Sequence, residues 1–267
     1  MSTRILETYE NRPRYVKQIC FIVGVILLIT ALSLPYVEFN GLVTNGFSIV
    51  NSIIQGMIAP NWDALLNFTK EGIPYLVFET VAIAFLGTFI GLVLSVPVAF
   101  LSSQNIVGRK FATIGTFMIT VIRTFPPFVY GLMLIRVSGP GPFTGVLTLA
   151  ITSIGMISKM FVEVIEDLDN GIIESLDAAG CNTLQKIRYG IIPQLMGNFA
   201  SISIYRFEIN VKNASILGLV GAGGIGAPLL FAMSGFRWAD AGALLWGLIL
   251  LVVAVEALSS WIRSKLG

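Results

Sequence analysis

The chain has 267 residues, 55% hydrophobic and only 12% charged, with a mean hydropathy of +0.84. A soluble domain carries about a quarter charged residues, so this composition describes a polytopic membrane protein in a lipid bilayer. The net charge of +2 comes from scattered basic residues, which argues against nucleic acid as a partner, and the absence of histidine removes histidine-based triads, zinc dyads and imidazole relays.

Residues 1–17 are polar, with Arg4, Arg12, Arg14 and Lys17 against Glu7 and Glu10. Apolar runs near 18–37, 75–102, 111–138, 142–162, 193–213 and 240–262 follow. Each approaches or exceeds the roughly 20 residues that a helix needs to cross hydrocarbon. The expected fold is all-α, with six transmembrane helices. The first run is too long for a signal-peptide core and lacks a small-residue cleavage site before Pro35-Tyr36, so it reads as a retained helix. Cys20 falls in that run and Cys181 in a later loop; both read as unpaired thiols in a reducing compartment.

Between the first two runs, Ile49 to Ile58 and Trp62 to Phe68 read as short interfacial helices. The chain thus divides into a tail, extra helix and connector (1–74) and one membrane domain (75–262). Orientation follows lysine and arginine bias. Arg4, Arg12, Arg14, Lys17, Arg109, Lys110, Lys159, Lys186, Arg188, Arg263 and Lys265 gather on one side, most of the seventeen basic residues. Lys70, Arg136, Lys212 and Arg237 fall on the other. Both termini and the 163–192 loop are therefore expected in the cytoplasm.

Two arginines fall inside spans. Arg123 lies thirteen residues after Lys110, and Arg206 thirteen after Pro193. At 1.5 Å per residue each sits about 20 Å from the cytoplasmic boundary, so the two guanidinium groups share a level. An intramembrane arginine faces a cavity or a partner, and its planar fork suits a tetrahedral oxyanion. For Arg123 a second role stays open, since Pro126-Pro127 frees carbonyls that it could cap. Asn210 and Asn213 follow Arg206 at helical spacing and extend it into a polar stripe; Glu208 is set to pair with Lys212 four residues on.

The longest polar-leaning interval is Glu174 to Pro193, ESLDAAGCNTLQKIRYGIIP. Glu174 to Ala179 reads as one short helix and Thr183 to Tyr189 as another. Gly180 between them supplies a left-handed turn, and Pro193 opens the next span. Farther on, LGLVGAGGIG from Leu217 to Gly226 is dense in glycine. Gly221, Gly223 and Gly226 fit the dinucleotide pattern G-x-G-x-x-G, with Asp240 nineteen residues after Gly221. A membrane span precedes it where that pattern needs a strand, so it does not read as a nucleotide site. Gly221, Gly223 and Gly224 read instead as backbone running close to a neighbouring subunit or a translocation path, or as a flexible loop.

Glu174, Gly180 and Pro193, spaced by six and thirteen residues, resemble the cytoplasmic Glu-Ala-Ala loop of binding-protein-dependent ABC importer permeases. Ser175 and Leu176 stand where that family usually has two alanines, and Gly190 where it often has a branched aliphatic. With RTFPPFVYGLMLI from Arg123 and RFEINVKNASILGLVGAGGIG from Arg206, the chain resembles the phosphonate-type permeases over about its last 190 residues. Methionine-importer permeases share a similar glycine block.

The resemblance implies a permease homodimer, two ATPase subunits and an extracytoplasmic binding protein. It makes Glu174, Ser175, Leu176, Asp177, Ala178, Ala179 and Gly180 the ATPase-coupling segment. Arg123, Arg206, Asn210, Asn213, Gly221, Gly223 and Gly224 then belong to the substrate pathway. No G-x-x-x-x-G-K-[ST] occurs, so ATP and magnesium are expected on the partner ATPase and no cofactor on this chain. The expected function is ATP-driven import of a phosphonate or related phosphorus oxyanion by alternating access. Permeases for methionine or another small solute, a polytopic membrane enzyme and a passive channel are the alternatives.

Overall fold

The computed structural model describes residues 15–36, 46–69 and 72–266, which form helices joined by turns with no strand among them. The tail residues Arg4, Arg12 and Arg14 and the loop residue Lys70 lie outside the described residues. Two compact units divide between Val50 and Asn51. The first holds α1 (Val16–Ser33), which ends in a 3-10 turn at Leu34–Tyr36. Its apolar stretch has a mean hydropathy of 2.4. Helix α2 (Gly46–Ile58) runs across the division.

The second unit contains α3 (Trp62–Leu66), α4 (Ile73–Ser102), α5 (Gln104–Val107), α6 (Arg109–Thr124), α7 (Pro127–Ser138) and α8 (Pro142–Glu166). After these come α9 (Asn170–Ala178), α10 (Thr183–Gln185), a π turn (Lys186–Ile191), α11 (Ile192–Gly218), α12 (Gly226–Ser234) and α13 (Trp238–Arg263). Its centre is the pair α4 and α8, with α11 laid across both. Lipid offers no apolar driving force between helices, so close approach depends on small side chains. Gly87 and Gly91 supply it on α4: a Cβ on Gly87 would come within 2.6 Å of Leu149 Cβ, and one on Gly91 would collide with Ser153. Hydroxyls then stitch the two backbones. Ser95 Oγ donates to the Gly91 carbonyl (2.6 Å) and reaches that of Ile154 (3.3 Å), while Ser158 Oγ donates to the Ser95 carbonyl (3.3 Å). Toward the end that carries the 163–192 loop, Phe161 stacks on Phe199 of α11 with ring centroids 4.2 Å apart.

Four stretches, those of α1, α4, α8 and α13, are long and apolar enough to cross a membrane, and the α6–α7 pair makes a fifth. The run expected as one span over 111–138 is bent by 82° between Thr124 and Pro127. Pro126 and Pro127 have no amide hydrogen for the carbonyls of Ile122 and Arg123, which opens the helix there. Tyr130 Oη donates to the Ile122 carbonyl at 3.1 Å and stacks edge-on against Phe125. A tyrosine thus caps the Ile122 carbonyl, and the Arg123 side chain makes no hydrogen bond there among the described residues. The sixth element, α11, has 27 residues, but Arg206, Glu208 and Lys212 keep it out of that apolar group.

The connector does more than lie at an interface. Asn61 caps α3 and donates through Nδ2 to Asp240 Oδ1 at 2.8 Å, and Trp246 Nε1 donates to the Met57 carbonyl at 2.8 Å. Gly56 and Gly242 let these backbones touch. Residues from Asn51 onward therefore pack with the membrane body.

Candidate functional site

Helix α9 starts at Asn170, four positions earlier than the helix expected from Glu174, and is capped by Asp169, whose side chain accepts from the Gly171 amide at 2.9 Å. It closes with Gly180 at φ +76°. The Cys181 amide bonds to the Leu176 carbonyl (3.0 Å) and the Gly180 amide to that of Asp177 (2.9 Å), the paired closure that a left-handed glycine permits. Asn182 and Gln185 then exchange side-chain to backbone bonds of 2.9 and 2.8 Å, which starts α10. The second short helix does not end before Pro193. It passes through the π turn straight into α11, because the Pro193 ring excludes the ordinary bond to Tyr189 and widens the preceding turn.

Lys186 Nζ reaches Asp177 Oδ1 at 2.6 Å and ties the two arms together. Glu174, Ser175, Asp177, Ala178, Ala179 and Gly180 are exposed, whereas Leu176 is half-buried against Gly190. Leu184 and Tyr189 are exposed as well, so this stiff hairpin presents a face that nothing among the described residues covers.

In the membrane layer, Arg206 is only 4% exposed. Its Nε donates to Ser153 Oγ at 3.1 Å, and its two terminal nitrogens donate to Thr152 Oγ1 (3.2 Å) and Met156 Sδ (2.8 Å). Asn210 Nδ2 donates to the same Ser153 hydroxyl and to Thr88 Oγ1, both at 2.8 Å. Ser153 thus joins α4, α8 and α11 at one point. No carboxylate pairs with Arg206 among the described residues.

Arg123 meets the same turn of α8 from another side. Its Cγ lies 2.9 Å from where a Cβ on Gly155 would be, and its side chain is exposed without a hydrogen bond among the described residues. The two arginine side chains therefore meet one helical turn, that of Arg206 buried and that of Arg123 exposed. Asn213 is half-buried and stands outside the Ser153 cluster, so the polar stripe expected of all three α11 residues is a pair.

The glycine segment turns three times through left-handed backbone, at Gly221 (φ +89°), Gly223 (φ +84°) and Gly224 (φ +76°). The surfaces it approaches belong to this chain. A Cβ on Gly223 would lie 2.8 Å from Pro142, and one on Gly224 2.6 Å from Thr80 Oγ1. Gly141 donates to the Gly221 carbonyl (2.8 Å) and Ile225 to Thr80 Oγ1 (3.0 Å), which pins the turn to the starts of α8 and α4.

Elsewhere, α11 and α13 share an ion network. Glu208 Oε1 meets Lys212 Nζ at 3.2 Å, as the four-residue spacing suggests, and Glu208 Oε2 meets Arg263 at 3.1 Å. Lys212 also reaches Glu256 at 3.4 Å.

A family model described as binding-protein-dependent transport system inner membrane component matches residues 87–266, two thirds of the chain. The chain belongs to this family. Along most of its length the permease is similar to the phosphite transport system permease protein PtxC of Stutzerimonas stutzeri. The two are 28% identical over 253 residues, 94% of this chain and 89% of that protein. It is 33% identical over 217 residues to the phosphate-import permease protein PhnE of Mycolicibacterium smegmatis, covering 80% of this chain but 40% of that longer protein. A putative cryptic phosphonate transport system permease protein, PhnE2 of Escherichia coli K12, is 41% identical over 117 residues, 44% of this chain and 96% of that one. Among solved structures, an inward-facing MetNI methionine ABC transporter shares the fold. Its TM-score is 0.65 at 20% identity, over 73% of this chain and 96% of that chain.

The permease is therefore a transport subunit rather than an enzyme, and its family works with an ATPase and a substrate-binding protein. Sequence reasoning placed Arg123 and Arg206 at one level but did not find Ser153 and Thr152 as the acceptors. It did not find Glu256, and it used Arg263 only in the lysine and arginine count. An acid deep within the apolar run of α13, well past Asp240 in its first turn, was the available signal for Glu256.

Proposed function

We propose that the permease serves an ATP-driven importer of phosphonate or a related phosphorus oxyanion. The observation that carries this reading is the naming of its relatives. Those matched over most of this chain are named for phosphite and phosphate transport, and a shorter match is named for phosphonate. Two arginine side chains meeting one turn of α8 agree with it chemically, since a tetrahedral oxyanion accepts paired, charge-assisted hydrogen bonds from a guanidinium.

In this reading two copies of the permease form a homodimer in the bacterial inner membrane, with both termini in the cytoplasm. Two ATPase subunits grip the hairpin from Glu174 to Gly180, and an extracytoplasmic binding protein delivers the solute. ATP and magnesium stay on the ATPase. ATP binding closes the ATPase pair and pushes the hairpins, which opens the cavity outward; hydrolysis resets it inward. The π turn carries that push into α11 without a flexible joint. Residues 75–262 make the transporting domain, after an additional helix and connector in 1–74. The path runs past Arg123, Arg206, Asn210 and Asn213, with the turn at Gly221, Gly223 and Gly224 as its outer rim.

The test is uptake into vesicles holding the complete transporter with its binding protein in excess. Labelled methylphosphonate, phosphite, phosphate and methionine are compared. ATP-dependent accumulation of a phosphorus oxyanion with none of methionine is the expected result. The reverse preference overturns the substrate, and uptake without ATP overturns the importer.

A further inference from the structure

Six residues of α11 follow one another at steps of three and four: Gln194, Asn198, Ser201, Tyr205, Glu208 and Lys212. Such steps place them on one helical face. All are polar or carry a polar tip, and only Glu208 is buried, under the side chain of Arg263. Along a helix crossing hydrocarbon, a stripe of this kind is turned to water or to a polar solute. Its charged end is the ion network. Glu208 has both oxygens engaged, one by Lys212 and one by Arg263, so it is fixed. Lys212 is held at 3.2 Å by Glu208 and at 3.4 Å by Glu256. The side chains of Lys212 and Glu256 are 43% and 58% exposed, against 9% for Glu208.

Glu256 is the most exposed member, and it can leave without stranding a buried charge. If Glu256 swings away, Lys212 still holds Glu208, Glu208 still holds Arg263, and one ammonium face is free. A carboxylate and a phosphorus oxyanion are chemically alike as partners for that face. Lys212 also lies six residues beyond Arg206, about 9 Å farther from the start of α11.

We infer that Lys212 is an oxyanion contact on the path, and that Glu256 is the built-in anion which the substrate displaces from it. The inference rests on the importer reading above. Glu256 sets a threshold: a monoanionic carboxylate solute gains little by exchanging with it, whereas a phosphorus oxyanion, with more acceptor oxygens and more charge, wins the exchange.

The experiment uses the complete transporter in vesicles and labelled methylphosphonate. Glu256→Gln removes the competitor and lowers KM several-fold. Lys212→Gln raises KM at least tenfold, and Lys212→Arg restores most of the loss. Unchanged KM in both Glu256→Gln and Lys212→Gln overturns the inference, while the unmodified transporter still moving methylphosphonate keeps the importer reading intact. If the unmodified transporter moves no phosphorus oxyanion, it is that reading which fails.

A second measurement serves if Lys212→Gln does not assemble. In a Cys20→Ser/Cys181→Ser background, Glu256→Cys reacts with a water-soluble anionic thiosulfonate, and methylphosphonate with binding protein and ATP slows the reaction. Reaction with a lipid-soluble maleimide alone places the residue in lipid. Spontaneous disulfides between two copies place it in an interface. Either result overturns the inference.

Discussion

Leu176 occupies the space that a side chain on Gly190 would need: a Cβ there would overlap Leu176 Cδ1. These are two of the positions where the hairpin departs from the usual pattern of its family, and they touch. A larger residue on α9 is matched by a missing one on the π turn, so the arms stay at close range. Together with the Lys186–Asp177 bridge of 2.6 Å, this contact sets the angle between α9 and the start of α11. It also ties the exposed hairpin to the helix that carries Arg206.

Gly190→Val should therefore misplace α9, at about 1–3 kcal/mol for a forced overlap. Leu176→Ala opens the space again. The double variant Leu176→Ala/Gly190→Val should recover most of the loss, giving a coupling energy of about 1 kcal/mol or more. The readout is detergent thermal stability together with copurification of the ATPase. Additive effects of the two changes would show that the contact carries no strain.

Gly180 is the second requirement of the hairpin. Its φ of +76° and its two closing bonds demand a left-handed residue. A β-branched side chain costs about 1–2 kcal/mol in that conformation. Gly180→Val should leave the permease inserted in the membrane while weakening ATPase assembly. Gly180→Asn, which tolerates the left-handed region, should assemble far better. An undiminished complex in the valine variant would remove the turn from the coupling argument.

Topology is checked with thiols on a Cys20→Ser/Cys181→Ser chain. Thr69→Cys and Ser264→Cys both lie at exposed positions. An impermeant maleimide added to whole cells should label the first and not the second. Opposite labelling would reverse the orientation drawn from the lysine and arginine bias.

Much of this architecture is legible in the residues because lipid simplifies the problem. Long apolar runs have one outcome in hydrocarbon, so α1, α4, α8 and α13 stand close to where hydropathy puts them. The hairpin was legible through Gly180, whose left-handed turn no other residue type takes as readily. Relations across the sequence were not. Leu176 and Gly190 each looked like an isolated departure, and their complementarity exists only once the π turn brings them together. Pro126-Pro127 signalled a kink, but which group satisfies the freed carbonyl depends on Tyr130 folding back over eight residues. Arg206 was visible as an intramembrane charge, whereas its acceptors Thr152, Ser153 and Met156 lie on another helix and look like ordinary span residues. The same distance hid the bond network between Glu208, Lys212, Glu256 and Arg263.

The two arginines, so alike in sequence, should respond differently to substitution. Arg206 links α11 to α8 through three donors, and Lys cannot reproduce the fork that reaches Ser153 and Thr152 together. Arg206→Lys should lose a charge-assisted bond worth about 1.5–3 kcal/mol. That lowers the melting temperature by several degrees and the uptake of methylphosphonate by roughly tenfold to a hundredfold, since 1.4 kcal/mol is a factor of ten. Arg206→Gln, without the charge, should be worse on both counts. Arg123 is exposed and makes no hydrogen bond among the described residues, so Arg123→Gln should leave the melting temperature within a degree or two while uptake falls tenfold or more. Arg123→Lys should sit between, keeping the charge without the planar fork. The paired measurement is thermal unfolding in detergent and vesicle uptake, made on the same preparations. If Arg123→Gln transports normally, the open guanidinium does not meet the substrate. If Arg206→Lys is as stable as the unmodified permease, the Ser153 junction does not hold α8 and α11 together. Loss of stability without loss of transport at Arg206 would assign it to packing alone and leave the path to Arg123.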